Sequence, residues 1–189
     1  MKAASPVWGL DRRRLLYIAI GVALYAFVSW AENALDLPVL RGFRPGIVIP
    51  VIFGALFGPV IGLVIGLAGL AVGDGLTYGL MWNWALGSGL AGLIAGIRPT
   101  ASAAVRSRWL WVAIATGIGA VGILIGIGLS ALTDIWVANL TPDLAISAEW
   151  LPTATRDLLV GVPITPVFLV LWAWFGGGAS VRRGSKRTA

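Results

Sequence analysis

The sequence contains no cysteine and no histidine. That removes disulfides, thiolate nucleophiles, imidazole haem ligands, Ser-His dyads and His- or Cys-based zinc sites together. Charge is scarce as well. Charged residues make up 12% of the chain, against roughly 25% in ordinary soluble domains, too few to clothe a water-facing surface. No GxxxxGK[ST] run occurs, so P-loop nucleotide hydrolysis is excluded. No acidic cluster is placed to hold the metal of a phosphotransferase, and the hydrophobic pattern shows no inverted duplication. An enzyme is not expected, nor a cofactor, nor a metal.

What is present is apolar. The hydrophobic share is 58%, with 26 glycines and 10 tryptophans in 189 residues, and the mean hydropathy is +0.90. This is the composition of an integral membrane protein, of one-domain length. The chain is organised around Arg44–Ile97. No charge falls between Pro45 and Gly73, and glycines recur three or four apart at Gly54, Gly58, Gly62, Gly66, Gly69 and Gly73. On a helix that spacing makes a smooth stripe, and small-residue faces drive helix packing in lipid. The run ends in Gly73-Asp74-Gly75 and Tyr78. Trp82-Asn83-Trp84 then opens a second glycine-rich segment through Gly87, Gly89, Gly92 and Gly96.

Leu15–Leu35 is 21 residues long, meeting the ~20 that a spanning helix needs. It exceeds a signal-peptide core and no small-x-small cleavage site precedes a soluble region, so it reads as a span. Gly58-Pro59 is a natural helix stop and restart, which leaves five or six spans open. The remaining spans are Trp82–Ile97, Trp109–Leu132 and Pro152–Phe175. The positive-inside rule decides the count. With six spans, Lys2, Arg12, Arg13, Arg14, Arg98, Arg106, Arg108, Arg182, Arg183, Lys186 and Arg187 lie inside, leaving Arg41, Arg44 and Arg156 outside. Five spans would put most of the basic residues outside.

The fold class expected is therefore an all-α, multi-pass plasma-membrane protein of six transmembrane helices, with cytoplasmic N- and C-termini. Residues 1–14 form a basic N-terminus, 15–175 the transmembrane domain and 176–189 a basic tail. The formal charge of +6 belongs to this topology and to anionic lipid headgroups; no nucleic-acid partner is implied.

Aromatic belts account for tryptophans at both interfaces. The outer set differs because its members have polar neighbours, as a pocket for a flat heterocycle or a cation requires. Ionisable residues at membrane depth are costly and point to function. Both arguments select Trp30, Asn33, Asp74, Tyr78, Asn83, Trp84, Trp136, Asn139, Arg156 and Asp157 as substrate-binding candidates. The rival reading of Asp74 is a turn residue in Gly-Asp-Gly. Arg156 and Asp157 are adjacent, so on a helix they point about 100° apart and do not neutralise each other. The 19 residues Thr133–Leu151 read as a loop long enough to cap a cavity.

The ordered series Arg44-Pro45-Gly46, Pro50, Phe57-Gly58-Pro59, Gly62, Gly66, Gly73-Asp74, Trp82-Asn83-Trp84, Gly87, Gly89, Gly92-Leu93-Ile94 and Gly96 resembles the S components of energy-coupling factor (ECF) transporters, particularly the riboflavin-type branch. The likeness covers roughly residues 15–100, and the last two spans only in pattern. It implies a six-helix subunit that captures a vitamin from outside and associates with a transmembrane coupling subunit and two ATPase subunits. Such proteins dock the coupling subunit through an Ala-x-x-x-Ala pattern on the first helix, which Ala19 and Ala23 match here. The expected ligand is a small, flat, nitrogenous nutrient, riboflavin first and a thiamine-like or pyrimidine-like compound next. The acid- and Trp-rich outer face favours a neutral or cationic ligand. The rivals are an accessory subunit packed in a larger membrane complex through its glycine faces, and a solitary facilitator.

Overall fold

A backbone surrounded by apolar side chains must satisfy its own hydrogen bonds, and helices do so within one segment. In the computed structural model the described residues, 12–34, 44–97 and 108–175, contain helices and no strand. The expected basic stretch before Arg12, the connection around Arg41, the loop with Arg98 and Arg106, and the tail 176–189 lie outside the described residues.

Helix α1 is Arg12–Ala34. A 3-10 turn, Pro45–Ile47, leads into α2, Val48–Phe57. Helix α3, Pro59–Gly75, starts where α2 stops, as the Gly58-Pro59 pair predicts. Gly58 makes the corner because its φ of 114° lies where L side chains are disfavoured, and its N–H caps the Gly54 carbonyl at 2.8 Å. Pro59, lacking an N–H, begins α3 at no cost to the ladder. Helices α4, Trp82–Ala95, and α5, Arg108–Val137, follow. A short turn of helix α6, Pro142–Leu144, and a π-helical segment, Ala145–Trp150, lead into α7, Leu151–Phe175.

Three of these stretches are long and apolar enough to cross a membrane: Arg12–Ala34, Trp109–Val137 and Pro142–Phe175. Pro45–Phe57 and Pro59–Gly75 are shorter apolar helices, and α4 has 14 residues.

The glycine stripe serves two neighbours rather than one. A methyl on Gly54 or Gly62 would collide with the Gly92 carbonyl, and one on Gly66 with the Ser88 carbonyl, so α2 and α3 meet α4 backbone to backbone. One turn or so further along α3, Gly69 lies against Tyr25 and Gly73 against Ser29, so the same stripe seats α1. Helices α4 and α5 repeat the device, with Gly87 and Gly126 each facing the other's carbonyl. Away from these crossings, Tyr17, Phe53, Phe57 and Trp172 form an aromatic cluster joining α1, α2 and α7.

The expected 19-residue loop is a correction. Helix α5 runs on to Val137 and helical structure resumes at Pro142, leaving only residues 138–141 between them. Asn139 takes φ 55°, a left-handed end that asparagine tolerates. The Asp134 carbonyl accepts from Ala138 and Leu140 there. Thr141 then caps the next turn, accepting from the Leu144 N–H at 3.4 Å, with Pro142 at its first position.

Candidate functional site

Polar residues gather at the bundle end where α1 finishes, α3 turns into α4, and α7 begins. On α1 they form a stripe, Tyr25, Ser29 and Glu32, spaced for one helical face. The Tyr25 and Ser88 hydroxyls share a buried hydrogen bond of 2.8 Å between α1 and α4. Glu32 accepts from the Gly46 N–H at 2.7 Å, which ties the start of the α2 turn to α1. Gly46 is needed for that approach, since a side chain there would press on the Tyr25 ring.

Between these elements lies a cavity of about 20 Å³ lined by Tyr25, Glu32, Arg44, Ile47, Leu70, Trp84, Ser88, Ile127 and Asp157. It admits about one water-sized sphere, so a vitamin enters only if the walls separate. Its electrostatics are specific. Asp157 is 3% exposed, and its Oδ1 has no hydrogen-bond partner. Burial works against the charge on Arg44, but Asp157, Tyr25 and Glu32 outweigh it, and the guanidinium pKa rises above its ordinary value. Arg44 is therefore a fixed cation in a chamber with two carboxylates. The chamber offers one unclaimed acceptor, a bank of guanidinium donors and an aromatic wall.

Two hydrogen-bonded groups flank the cavity. At the α3 turn, Asn33 Nδ2 donates to the Tyr78 hydroxyl at 3.1 Å, and that hydroxyl donates to Asp74 Oδ1 at 3.2 Å. The Asp74 carbonyl meanwhile accepts from Thr77, Tyr78 and Gly79, so Asp74 is the turn residue of the rival reading as well as an acceptor facing α1. Burial of the Tyr78 hydroxyl and the neighbouring Asp74 raise the phenol pKa, although the ring itself is open to its surroundings. Between α4 and α5, Asp134 accepts from Asn83 Nδ2 at 2.7 Å and from Trp84 Nε1 at 2.9 Å. Asn83 also donates to the Ser130 carbonyl and to Thr133 Oγ1, and Ser130 Oγ returns a bond to the Asn83 carbonyl at 3.1 Å.

Of the residues selected from sequence, Trp84 and Asp157 line the cavity. Asn33, Asp74 and Tyr78 form the adjoining turn, and Asn83 is committed to α5. The structure does not bring the other four to the cavity. Trp30 is exposed and packs on Phe27, with ring centroids 5.9 Å apart. Trp136 is 74% exposed, Asn139 belongs to the left-handed end of α5, and Arg156 is exposed while its neighbour Asp157 is buried. Sequence reasoning passed over Tyr25, Ser29 and Ser88, did not place Glu32 or Asp134 at the site, and had Arg44 only as one of three outer arginines able to pair an anionic ligand group. The α1 stripe carried a usable signal, a single polar face through an apolar span.

These features define a helical membrane protein with a polar, aromatic-walled chamber inside an apolar bundle. The family model of the ECF-type riboflavin transporter S component matches residues 10–173. The chain belongs to that family, a family of transporter components, and its class of role is vitamin uptake in ECF transporters. S components work there with a membrane coupling subunit and ATPases and bind a small-molecule substrate. No curated protein and no solved structure gives a significant match.

Proposed function

We propose that this chain captures a small, flat, nitrogenous nutrient, with riboflavin the lead ligand and a thiamine-like or pyrimidine-like compound next. It would hand its energy requirement to a coupling subunit and two ATPases. The observation that carries the reading is the unpartnered Asp157 Oδ1 beside the Arg44 guanidinium, in a chamber walled by Trp84 and Tyr25. A ligand that donates one N–H or O–H to Asp157 and accepts from Arg44 would satisfy both, and buried polar groups left unmatched are expensive. Arg44 already faces the acidic groups of Glu32 and Asp157, which leaves no surplus of positive charge for a phosphorylated ligand.

The arrangement proposed in the membrane is six spans over residues 15–175, crossing the plasma membrane with both termini cytoplasmic. The polar chamber then opens outward, and Ala19 and Ala23 lie on the cytoplasmic half of α1. Both alanines are exposed, which supports a docking role for that face. The accessory-subunit reading loses ground, because the glycines at the α3–α4 and α4–α5 crossings are occupied within the chain itself.

The test is titration of the detergent-purified protein with riboflavin, followed by quenching of flavin fluorescence, with thiamine titrated in parallel by calorimetry. Saturable, stoichiometric binding of riboflavin is expected. Binding of thiamine alone would reassign the substrate, and binding of neither would remove the nutrient-capture reading.

A further inference from the structure

Trp84 is the large aromatic wall of the cavity, and its buried ring packs in the apolar core. Its indole N–H reaches across to α5, where Asp134 Oδ2 accepts it at 2.9 Å. The same carboxylate uses Oδ1 for Asn83 at 2.7 Å, and Asp134 is 4% exposed. Both oxygens are thus spent on consecutive side chains at the start of α4. Such a bond is worth more than a neutral one, and it is directional. Core packing limits the ring, and the bond at Nε1 adds the directional restraint that selects which plane it turns towards the cavity.

We infer that Asp134 is a positioning residue for ligand binding, acting through Trp84 without itself touching the ligand. This rests on the cavity being the nutrient site. The carboxylate suits the task because it has two acceptor oxygens and no donor. In Asp134→Asn only one acceptor remains, and its amide N–H groups face either Asn83 Nδ2 or Trp84 Nε1, both donors. Asn83 avoids that clash only by turning its amide over, which breaks its bonds to the Ser130 carbonyl and Thr133 Oγ1, so the network cannot survive whole.

The experiment is a double-mutant cycle on riboflavin affinity with Asp134→Asn and Trp84→Phe. Phenylalanine keeps an aromatic wall and removes the N–H that Asp134 holds. In the wild-type background Asp134→Asn should weaken binding about tenfold, equivalent to about 1.4 kcal/mol. In the Trp84→Phe background it should weaken binding by less than about twofold, the non-additivity expected of residues acting as one unit. An equal loss in both backgrounds, or no loss in either, overturns the inference. A second measurement needs neither the Asp134 variant nor a ligand. The Trp84 indole N–H of wild-type protein, assigned by its disappearance in Trp84→Phe, should exchange with solvent far more slowly than that of exposed Trp136. Equal exchange overturns the inference even if riboflavin does not bind, and slow exchange without riboflavin binding confines the failure to the choice of ligand.

Discussion

The α3–α4 crossing and the chamber beside it share residues of the same two helices and have opposite character. At the crossing, Gly62 and Gly92 leave no room for a methyl group. Towards the polar end, Leu70 of α3 and Trp84 of α4 stand apart and leave a cavity with an unmatched acceptor. Ser88 belongs to both regions: its carbonyl is pressed against Gly66 and its hydroxyl bonds Tyr25. The difference teaches that a polar chamber inside an apolar bundle needs a rigid floor. Backbone contact supplies the floor, because packing in lipid depends on close approach rather than on escape from water.

Breaking the floor should do most. Gly92→Val puts a branched side chain into backbone, and is expected to cost at least about 3 kcal/mol. Thermal unfolding in detergent should show a collapse of the transition, and an unchanged melt would mean the crossing has slack. Next comes the chamber alone. Asp157→Asn should leave the melt close to wild type and weaken riboflavin binding about 10- to 100-fold, the scale of one hydrogen bond to a charged group; calorimetry or flavin quenching reads it. Outside both regions, Ala19→Leu with Ala23→Leu should leave binding within about twofold while uptake by cells carrying the whole transporter fails. Preserved uptake would remove the docking role. The smallest effect is expected at Trp136→Ala, within about 0.5 kcal/mol in both stability and binding free energy; a larger loss of affinity would return Trp136 to the site.

Much of this architecture was legible because it is local. The Gly58-Pro59 break, the apolar length of α1 and the divergence of Arg156 from Asp157 follow from propensities and spacing within a few residues, though which of the two turns inward does not. The end of α5 was misread because Asn139 and Thr141-Pro142 stop and restart helix within residues 138–141, and polar composition hid the helix on either side. The Asp134 pairing with Asn83 and Trp84 spans about 50 residues, and no periodicity encodes which face of α5 meets α4. Arg44 was readable as a charge but not as a cavity wall, since its place depends on the turn that Glu32 holds through Gly46.

Helix α1 carries two features at different heights on different faces. Glu32 and Tyr25 grip the chamber, while Ala19 and Ala23 are exposed nearer the other end. Glu32 and Ala19 are 13 positions apart, about 20 Å of helix, with no proline to absorb a bend. Beneath α1, Gly69 and Gly73 present a track without side chains. Helix α1 is therefore a single unbroken rod, seated closely on α3, that reaches from the chamber to the alanine face. With Ala19 and Ala23 as the proposed docking face, the chamber and the partner surface are two ends of one continuous element.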